Sequence, residues 1–106
     1  MSKFFNIPQY VDNHFFHSKK EARRYTELKA LEQAGVISGL ELQPKYRIDI
    51  DGVHICKVIP DFKYWDLERD QEVVEDVKSM GTTTRLFILK KRLMKAVLGI
   101  EVEVVM

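Results

Sequence analysis

The sequence predicts an α/β domain in which two helices pack on a central mixed sheet. Two segments carry apolar residues at helical spacing, and much of the remaining chain consists of alternating or β-branched runs between turn residues. The second helical segment stands between two predicted strands, which favours a right-handed crossover at that point. The 106 residues are 45% apolar and 31% charged, so we expect a single domain over 1–106 with a modest core.

The N-terminal part predicts a short hairpin followed by a helix. Residues 9–17 form the hairpin, with Asp12-Asn13 as the turn dipeptide between apolar pairs. Residues 18–21 are a capping-box sequence, and apolar residues then recur at helical spacing until Gly35 supplies a stop. These signals predict the first helix over 19–34.

The middle of the chain predicts extended structure. A linker runs through Gly39, and residues 46–50 and 53–59 then flank an Asp51-Gly52 turn, which marks a second hairpin. Pro60 lacks an amide donor, so we expect a sheet edge, a bulge or a strand end next to it.

The C-terminal part predicts two further strands, a second helix and a final strand. Residues 61–65 and 72–78 are extended on either side of a polar turn. A glycine and three threonines at 81–84 interrupt the second of these strands and can cap a helix that ends at Gly99. Residues 100–105 alternate apolar and acidic positions and predict the last strand. One apolar face of the second helix is formed by Leu86, Leu89, Leu93 and Val97.

Composition excludes several protein classes. No apolar stretch approaches the length of a membrane span, and the first residues lack the layout of a signal peptide. We therefore expect a cytoplasmic protein with no membrane partner. The single cysteine, Cys56, forbids an internal disulfide and a metal site built from several cysteines.

Charge is segregated along the chain although the net charge is only +1. Basic residues cluster at the start of the first predicted helix and through the second. Folded beside a group of acids, two basic helices would attract a phosphate backbone, and the alternative is two solvated helix faces. The residues predicted to contact a phosphate backbone are Lys19, Lys20, Arg23, Arg24, Thr83, Arg85, Lys90 and Lys91.

One aspartate and an Asp-Val-Lys triplet are the candidate chemical residues. Because side chains alternate along a strand, Asp76 and Lys78 leave the same face and Val77 the other. If Asp61 meets Asp76, their oxygens can hold a hard cation such as Mg²⁺ at about 2.0–2.1 Å. The lysine can then orient water or offset phosphate charge. The alternative is a solvated ion pair worth about 0–1 kcal/mol.

These motifs and the order of the predicted elements resemble the PD-(D/E)xK nuclease superfamily. Pro60-Asp61 falls on the second core strand and Asp76-Val77-Lys78 on the third, in the order helix, three strands, helix, strand. More narrowly, four segments are similar to a family of small phage and prophage proteins grouped as a domain of unknown function. The segments are residues 18–25, residues 42–46, Pro60-Asp61-Phe62 and residues 74–78.

The resemblance implies a restriction-endonuclease-like core, preceded here by the N-terminal hairpin, and assigns roles to single residues. Asp61 and Asp76 would bind the metal, with the carbonyl of Val77 as a further ligand. Lys78 would position or polarise the attacking water. By alternation Glu75 lies on the opposite face of its strand, so it is left out of the metal-binding set.

Glu21 and Gln43 complete the candidate site. The resemblance makes Glu21 the metal-binding and catalytic acid that many members add from the first helix. Its position three residues after Ser18 equally suits a helix cap, and both roles stay open. Gln43 stands where relatives sometimes contribute a polar side chain behind the metal ligands.

The activity implied is Mg²⁺-dependent hydrolysis of DNA phosphodiester bonds, in which Mn²⁺ can replace Mg²⁺. Family context implies phage replication or recombination, with a homodimer that cuts branched DNA such as a Holliday junction. Because little surface remains for reading bases, we expect phosphate contacts and DNA shape to select the target. Two alternatives stay open: a less selective nuclease that nicks or trims DNA, and an inactive nucleic-acid-binding module with the same fold.

Overall fold

The computed structural model describes residues 9–79 and 83–106. Within them the predicted α/β class is confirmed, with helices and several sheets of which one is mixed. The helices are α1 (Lys19–Gln33) and α2 (Arg85–Leu93), and α2 continues into a π-helical segment at Met94–Leu98. The strands are β1 (Gln9–Val11), β2 (His14–Phe16), β3 (Ile37–Leu42), β4 (Tyr46–Ile50), β5 (Val53–Val58), β6 (Phe62–Asp66), β7 (Gln71–Val77) and β8 (Val102–Val105).

The largest sheet has four strands in the order β3-β6-β7-β8. Strand β6 pairs antiparallel with β3 and with β7, whereas β7 and β8 run parallel on either side of α2 in sequence. Residues 73–77 of β7 are buried because this strand is internal to the sheet and both of its faces are covered.

Two hairpins form separate two-stranded sheets, β1-β2 and β4-β5, as the turn dipeptides predicted. Asp12 and Asn13 have φ angles of 50° and 65°, and Asp51 and Gly52 have 50° and 78°. Positive φ at both central residues is the requirement of a type I′ turn, which Asn, Asp and Gly meet at the lowest cost. Local chemistry alone therefore specified both hairpins.

Helix α1 agrees with the prediction to within one residue at its C-terminus. The Ser18 hydroxyl accepts a hydrogen bond from the Glu21 amide at 3.1 Å, which satisfies an orphan donor of the first turn. Ala22, Tyr25 and Leu28 are buried against the sheet, and Gly35 follows the helix with a φ of 79°.

The prediction of a linker through Gly39 is wrong, because residues 37–42 form the edge strand β3. Its pairing with β6 shifts register between Ser38 and Glu41, and Gly39 has a φ of 65° within that irregularity. The segment lacks the regular alternation of a strand, and its conformation is set by pairing with the distant β6.

Two apolar clusters cover opposite faces of the sheet. On one face α1 and the β1-β2 hairpin pack through Leu28, Tyr25 and Phe16. On the other face the β4-β5 hairpin and the π-helical segment pack through Ile48 and Met94, both 0% exposed. Odd-numbered residues of β7 thus face α1, and even-numbered residues face the β4-β5 hairpin.

The helical segment after residue 82 begins and ends as predicted. The Thr84 hydroxyl accepts from the Phe87 amide at 3.1 Å, and Gly99 ends the segment with a φ of 71°. Only the C-terminal part of the predicted apolar face packs against the rest of the protein. Leu93 and Val97 pack on the Ile48 cluster, whereas Leu86 and Leu89 are exposed.

The predicted contribution of Gly81 and Thr82 to the break before α2, and the layout of the first eight residues, lie outside the described residues. Among the residues that are described, no helix is both long and apolar enough to cross a membrane.

Candidate functional site

Asp61 lies in the short connection between β5 and β6, directly after a buried proline. Its amide donates to the Glu75 carbonyl at 3.2 Å, and its own carbonyl accepts from the Gln43 amide at 2.9 Å. Its carboxylate Oδ2 accepts from the Val77 amide at 2.7 Å. These bonds hold the carboxyl group beside the end of β7, the strand that carries Asp76.

Asp76 and Lys78 leave the same face of β7, as the alternation predicted. The Lys78 ammonium lies 2.9 Å from Asp76 Oδ2 and 4.3 Å from the centre of the Phe87 ring. The Lys78 amide donates to the carbonyl of Val105 at 2.8 Å, so β8 fixes its backbone. Asp76 is only 7% exposed, which makes this pair different from a solvated surface ion pair.

The two aspartates meet although a strand and a turn separate them in the chain. Asp76 lies within hydrogen-bonding reach of the Asp61 carboxyl group. Burial, the charge and the hydrogen bond of Asp76, and the charge of Glu21 raise the pKa of Asp61 to about 8, which the Val77 amide only partly offsets. The aspartate pair therefore retains a proton to higher pH than an isolated aspartate does, and the two carboxyl groups can share it in a hydrogen bond.

Glu21 is close enough to join this group electrostatically. Burial raises its pKa, the charge of Asp76 raises it further, and His17 and Lys78 act in the opposite direction. Only half of the predicted capping box forms in the described chain, from the Glu21 amide to the Ser18 hydroxyl. The Glu21 carboxylate is thus left available to the site.

The donor set suits a hard cation. Within residues 9–79 and 83–106, no three His, Cys, Asp or Glu side chains are arranged as a metal-binding group. Asp61 and Asp76 nevertheless place two carboxylates together, and Mg²⁺ is commonly held by one or two carboxylates with water and phosphate filling its other positions. Metal ligation by Glu21 and by the Val77 carbonyl stays a prediction.

An open cleft of about 370 Å³ contains the aspartate pair. Besides Asp61 and Asp76, it is lined by four lysines: Lys57 of β5, Lys78 directly after β7, and Lys90 and Lys91 of α2. Anionic groups in a basic cleft can bind a cation and a phosphate side by side. Sequence reasoning missed Lys57, because no local signal indicates that the β4-β5 hairpin packs next to β7.

The predicted basic residues of α2 lie at or near this cleft. Lys90 and Lys91 line it, although Lys91 Nζ also lies 2.5 Å from Glu101 Oε2. Thr83 and Arg85 are exposed on either side of Thr84, which lines the cleft as well. Phosphate contact by these residues stays a prediction.

The predicted basic residues of α1 divide into two groups. Lys19, Lys20 and Arg23 belong to the first turns of the helix, and Lys19 and Arg23 line a groove against β1. Arg24 instead turns to the sheet, where its Nε and Nη2 atoms donate to the two carboxylate oxygens of Glu75 at 2.6 and 3.0 Å. A phosphate would have to compete with this bidentate pair for the guanidinium.

Glu75 is bound on the α1 side of β7, the face that alternation predicted for it. It is 1% exposed, and the Tyr64 hydroxyl also donates to its Oε2 atom at 2.8 Å. The hydrogen bond from Tyr64 and the pair with Arg24 satisfy a carboxylate that would otherwise be very costly to bury.

The metal-free protein is expected to lose stability as pH rises toward 8. The pKa of Asp61 is about 8 when folded, against an ordinary value of 3.8. Between these values the folded state holds a proton that the unfolded state has lost. This contribution to the free energy of unfolding is fully present below the unfolded pKa and is lost as pH rises through the folded one, by at most about 1.4 kcal/mol per pH unit.

Urea unfolding in EDTA between pH 5 and 9 measures this dependence. Asp61→Asn keeps the side-chain shape and the acceptor for the Val77 amide but does not titrate, so its stability should vary less with pH. An identical slope in the variant would assign the pH dependence to other groups.

Comparison with known proteins places the chain in a family. Residues 1–102 match the family described as protein of unknown function, DUF1064. No curated protein and no solved structure matches the sequence. The matched range covers nearly the whole chain, including Glu21, Asp61, Asp76 and Lys78. The protein therefore belongs to the DUF1064 family.

Proposed function

We propose that this protein is a metal-dependent DNA endonuclease that hydrolyses phosphodiester bonds. The observation that carries the proposal is the meeting of Asp61 and Asp76 in a cleft lined by lysines, with the Lys78 ammonium 2.9 Å from Asp76. Two carboxyl groups that share a site repel each other when both are charged. Burial and this repulsion raise the pKa of Asp61 and destabilise the metal-free fold. Such an arrangement in a cleft is typical of a functional site, where a bound ligand offsets the repulsion.

The order of the elements supports the same proposal. Apart from the β1-β2 and β4-β5 hairpins, the chain runs α1, then sheet strands β3, β6 and β7, then α2 and β8. PD-(D/E)xK nucleases, which the sequence resembles, share this order, with the first acid at the second strand and the Asp-Val-Lys triplet at the third. We therefore propose a restriction-endonuclease-like core into which the β4-β5 hairpin is inserted.

Asp61 and Asp76 would hold Mg²⁺, or Mn²⁺ in its place, through their carboxylate oxygens. The ion would supply Lewis acidity, which lowers the pKa of a bound water and neutralises charge on the scissile phosphate. Binding of a cation would displace the proton that burial and the charge of Asp76 favour on the Asp61 carboxyl group. Its hydrogen bond from the Val77 amide keeps the carboxylate oriented during that change.

Lys78 is the residue best placed to act on the attacking water or on the phosphate. Its ammonium contacts both the Asp76 carboxylate and the Phe87 ring, so it is held within the cleft. A positive charge fixed there orients the nucleophile and stabilises the charge that develops in the transition state. Glu21, near both Asp76 and Lys78, is the proposed additional acid of the site.

The substrate follows from the cleft and from the resemblance together. Lys57 of β5 and Lys90 of α2 both line the cleft, and we propose that they contact phosphates of one strand without reading bases. We propose branched DNA of phage replication or recombination as the target, cut by a homodimer in the host cytoplasm. DNA shape, and not base sequence, would then select the site of cleavage.

The test is cleavage of end-labelled four-way, flapped, single-stranded and linear duplex DNA in Mg²⁺, Mn²⁺ or EDTA. We expect cleavage of at least one branched substrate with either metal and none in EDTA. Equal rates on branched and linear duplex DNA would favour the less selective nuclease. Tight binding of every substrate without any cleavage would overturn the proposal and favour the binding module.

A further inference from the structure

Three aromatic rings form a row on the outer face of the β1-β2 hairpin. Tyr10 and Phe15 are directly opposite in the register, with ring centres 5.1 Å apart, and Phe15 lies 5.2 Å from His17. Tyr10 is 75% exposed and Phe15 is 42% exposed. We call these three residues the aromatic row.

The aromatic row is not what attaches the hairpin to the protein. The opposite face of the hairpin carries Phe16, which is 3% exposed. It packs against Tyr25 and Phe62 in the apolar cluster between α1 and the sheet. Because the attachment uses Phe16, exposed rings at Tyr10 and Phe15 add little buried area to the fold. Contiguous exposed aromatic surface on a small domain is typical of a binding site.

A second cleft connects the aromatic row with the proposed active site. It has a volume of about 490 Å³ and is lined by Phe15 and His17 at the hairpin, by Glu21 of α1, and by Gln43 and Asp61 next to strands of the sheet. Asp61 also lines the basic cleft described above, so the two clefts share this residue. A chain passing through both clefts would cross the aspartate pair.

The charge beside the hairpin identifies the kind of chain that fits. Lys19, Lys20 and Arg23 follow the hairpin directly on α1, and none of them forms an ion pair with an acid among the described residues. Lys19 and Arg23 line a groove with Gln9 and Val11, the residues on either side of Tyr10 in β1. A hairpin that carries exposed rings and has cations beside it suits an anionic polymer with accessible aromatic faces. A single nucleic-acid strand has these properties, because its phosphates are charged and its bases are free to stack.

We propose that the aromatic row is a stacking platform for unpaired nucleotides of a DNA strand whose backbone continues past Asp61. The bases of an intact duplex are already stacked on each other and cannot use the platform. The proposed endonuclease would therefore select DNA with a single-stranded segment next to the scissile phosphate. The cleavage part of this inference rests on the proposed function, whereas the binding part does not.

The test is binding of a fluorescent oligothymidine and of a duplex of equal length, both in EDTA. Phe15→Ala and Tyr10→Ala should each weaken binding of the single strand about tenfold, as expected for the loss of one stacked base, and leave duplex binding unchanged within about twofold. Phe15→Trp should restore the affinity. The matched control is Trp65→Ala, which removes a ring that is 41% exposed and lies on β6 outside the hairpin.

Cleavage and light scattering separate the remaining outcomes. In the active protein, Phe15→Ala should slow cleavage of a flapped substrate more than of a nicked duplex. If both substrates bind equally well to the variant and to the original protein, the stacking proposal is overturned, and cleavage by the same preparation tests the proposed function separately. If Phe15→Ala dissociates an oligomer without changing DNA selectivity, the row is a contact between copies of the chain, which also overturns it. If stacking is observed but no substrate is ever cleaved, only the proposed function fails.

Discussion

Asp76→Asn is expected to lower Mg²⁺-dependent DNA cleavage by more than about a hundredfold, the loss seen when a transition-state interaction is removed. The substitution preserves the shape of a side chain that is only 7% exposed, so the packing of β7 should survive. It removes the charge that faces both Asp61 and the Lys78 ammonium. The metal would then be held by a single carboxylate at this position.

Lys78→Ala should lose activity to a similar extent, for a different reason. The proposed metal-binding pair stays, but the ammonium 2.9 Å from Asp76 is gone, and the proposed attacking water would no longer be oriented. Mg²⁺ binding, measured by calorimetry, should therefore weaken strongly in Asp76→Asn and much less in Lys78→Ala. This difference separates loss of the metal from loss of the lysine.

Matched controls come from the same chain. Asp51→Asn removes an acid from a turn position with a φ of 50°, which Asn tolerates, and Lys95→Ala removes an exposed cation of the π-helical segment. Both controls should retain cleavage within about threefold, since surface substitutions away from a site have small effects. If Asp76→Asn and Lys78→Ala were as active as these controls, the observed cleavage would come from a contaminating nuclease.

Arg24→Ala is expected to lower the free energy of unfolding by about 3–5 kcal/mol, the usual result of leaving one partner of a buried pair uncompensated. Glu75 is 1% exposed and receives two hydrogen bonds from Arg24 and one from the Tyr64 hydroxyl. Removing the guanidinium leaves a buried carboxylate with the hydroxyl alone. Since domains of this kind are stable by about 5–15 kcal/mol, the loss is a large fraction of the total.

Urea unfolding followed by circular dichroism measures this loss. Arg24→Lys keeps the charge but cannot form both parallel hydrogen bonds. Its free energy of unfolding should therefore lie between that of the original protein and that of Arg24→Ala. Glu27→Gln is the matched control, because it removes only a 3.2 Å pair between Arg24 and a side chain that is 55% exposed, worth less than about 1 kcal/mol. If Arg24→Ala were as stable as the original protein but bound DNA poorly, the expected loss of stability would be wrong. Arg24 would then contact phosphate, as the sequence predicted.

Local signals were sufficient for the elements whose determinants lie within a few residues of each other. The capping hydroxyl of Ser18 and the apolar spacing after it predicted α1 almost to the residue. The Asp51-Gly52 dipeptide predicted the β4-β5 hairpin through its positive φ angles. Strand alternation likewise placed Asp76 and Lys78 on one face and Glu75 on the other.

Features that depend on distant segments were missed or only partly predicted. Strand β3 was taken as a linker because its pairing partner, β6, lies beyond an inserted hairpin. Lys57 was not selected because its approach to the cleft depends on how that hairpin packs. Arg24 was grouped with the other basic residues of α1, since nothing in a run of cations shows which one finds a buried acid across the sheet.

The sequence by itself determined the helices, the two hairpins, the strand faces and the identity of the candidate chemical residues, because caps, turn dihedral angles and side-chain periodicity act over a few residues. Only the tertiary structure decided that Asp61 lies against Asp76 and that two clefts share Asp61. It also decided which cations are held in ion pairs, as Arg24 is with Glu75. These features arise from the pairing of β6 with β7 and from the packing of α1 and the β4-β5 hairpin on opposite faces of the sheet. The energy of such pairing and packing comes from contacts between distant segments, so no single segment of the sequence determines it.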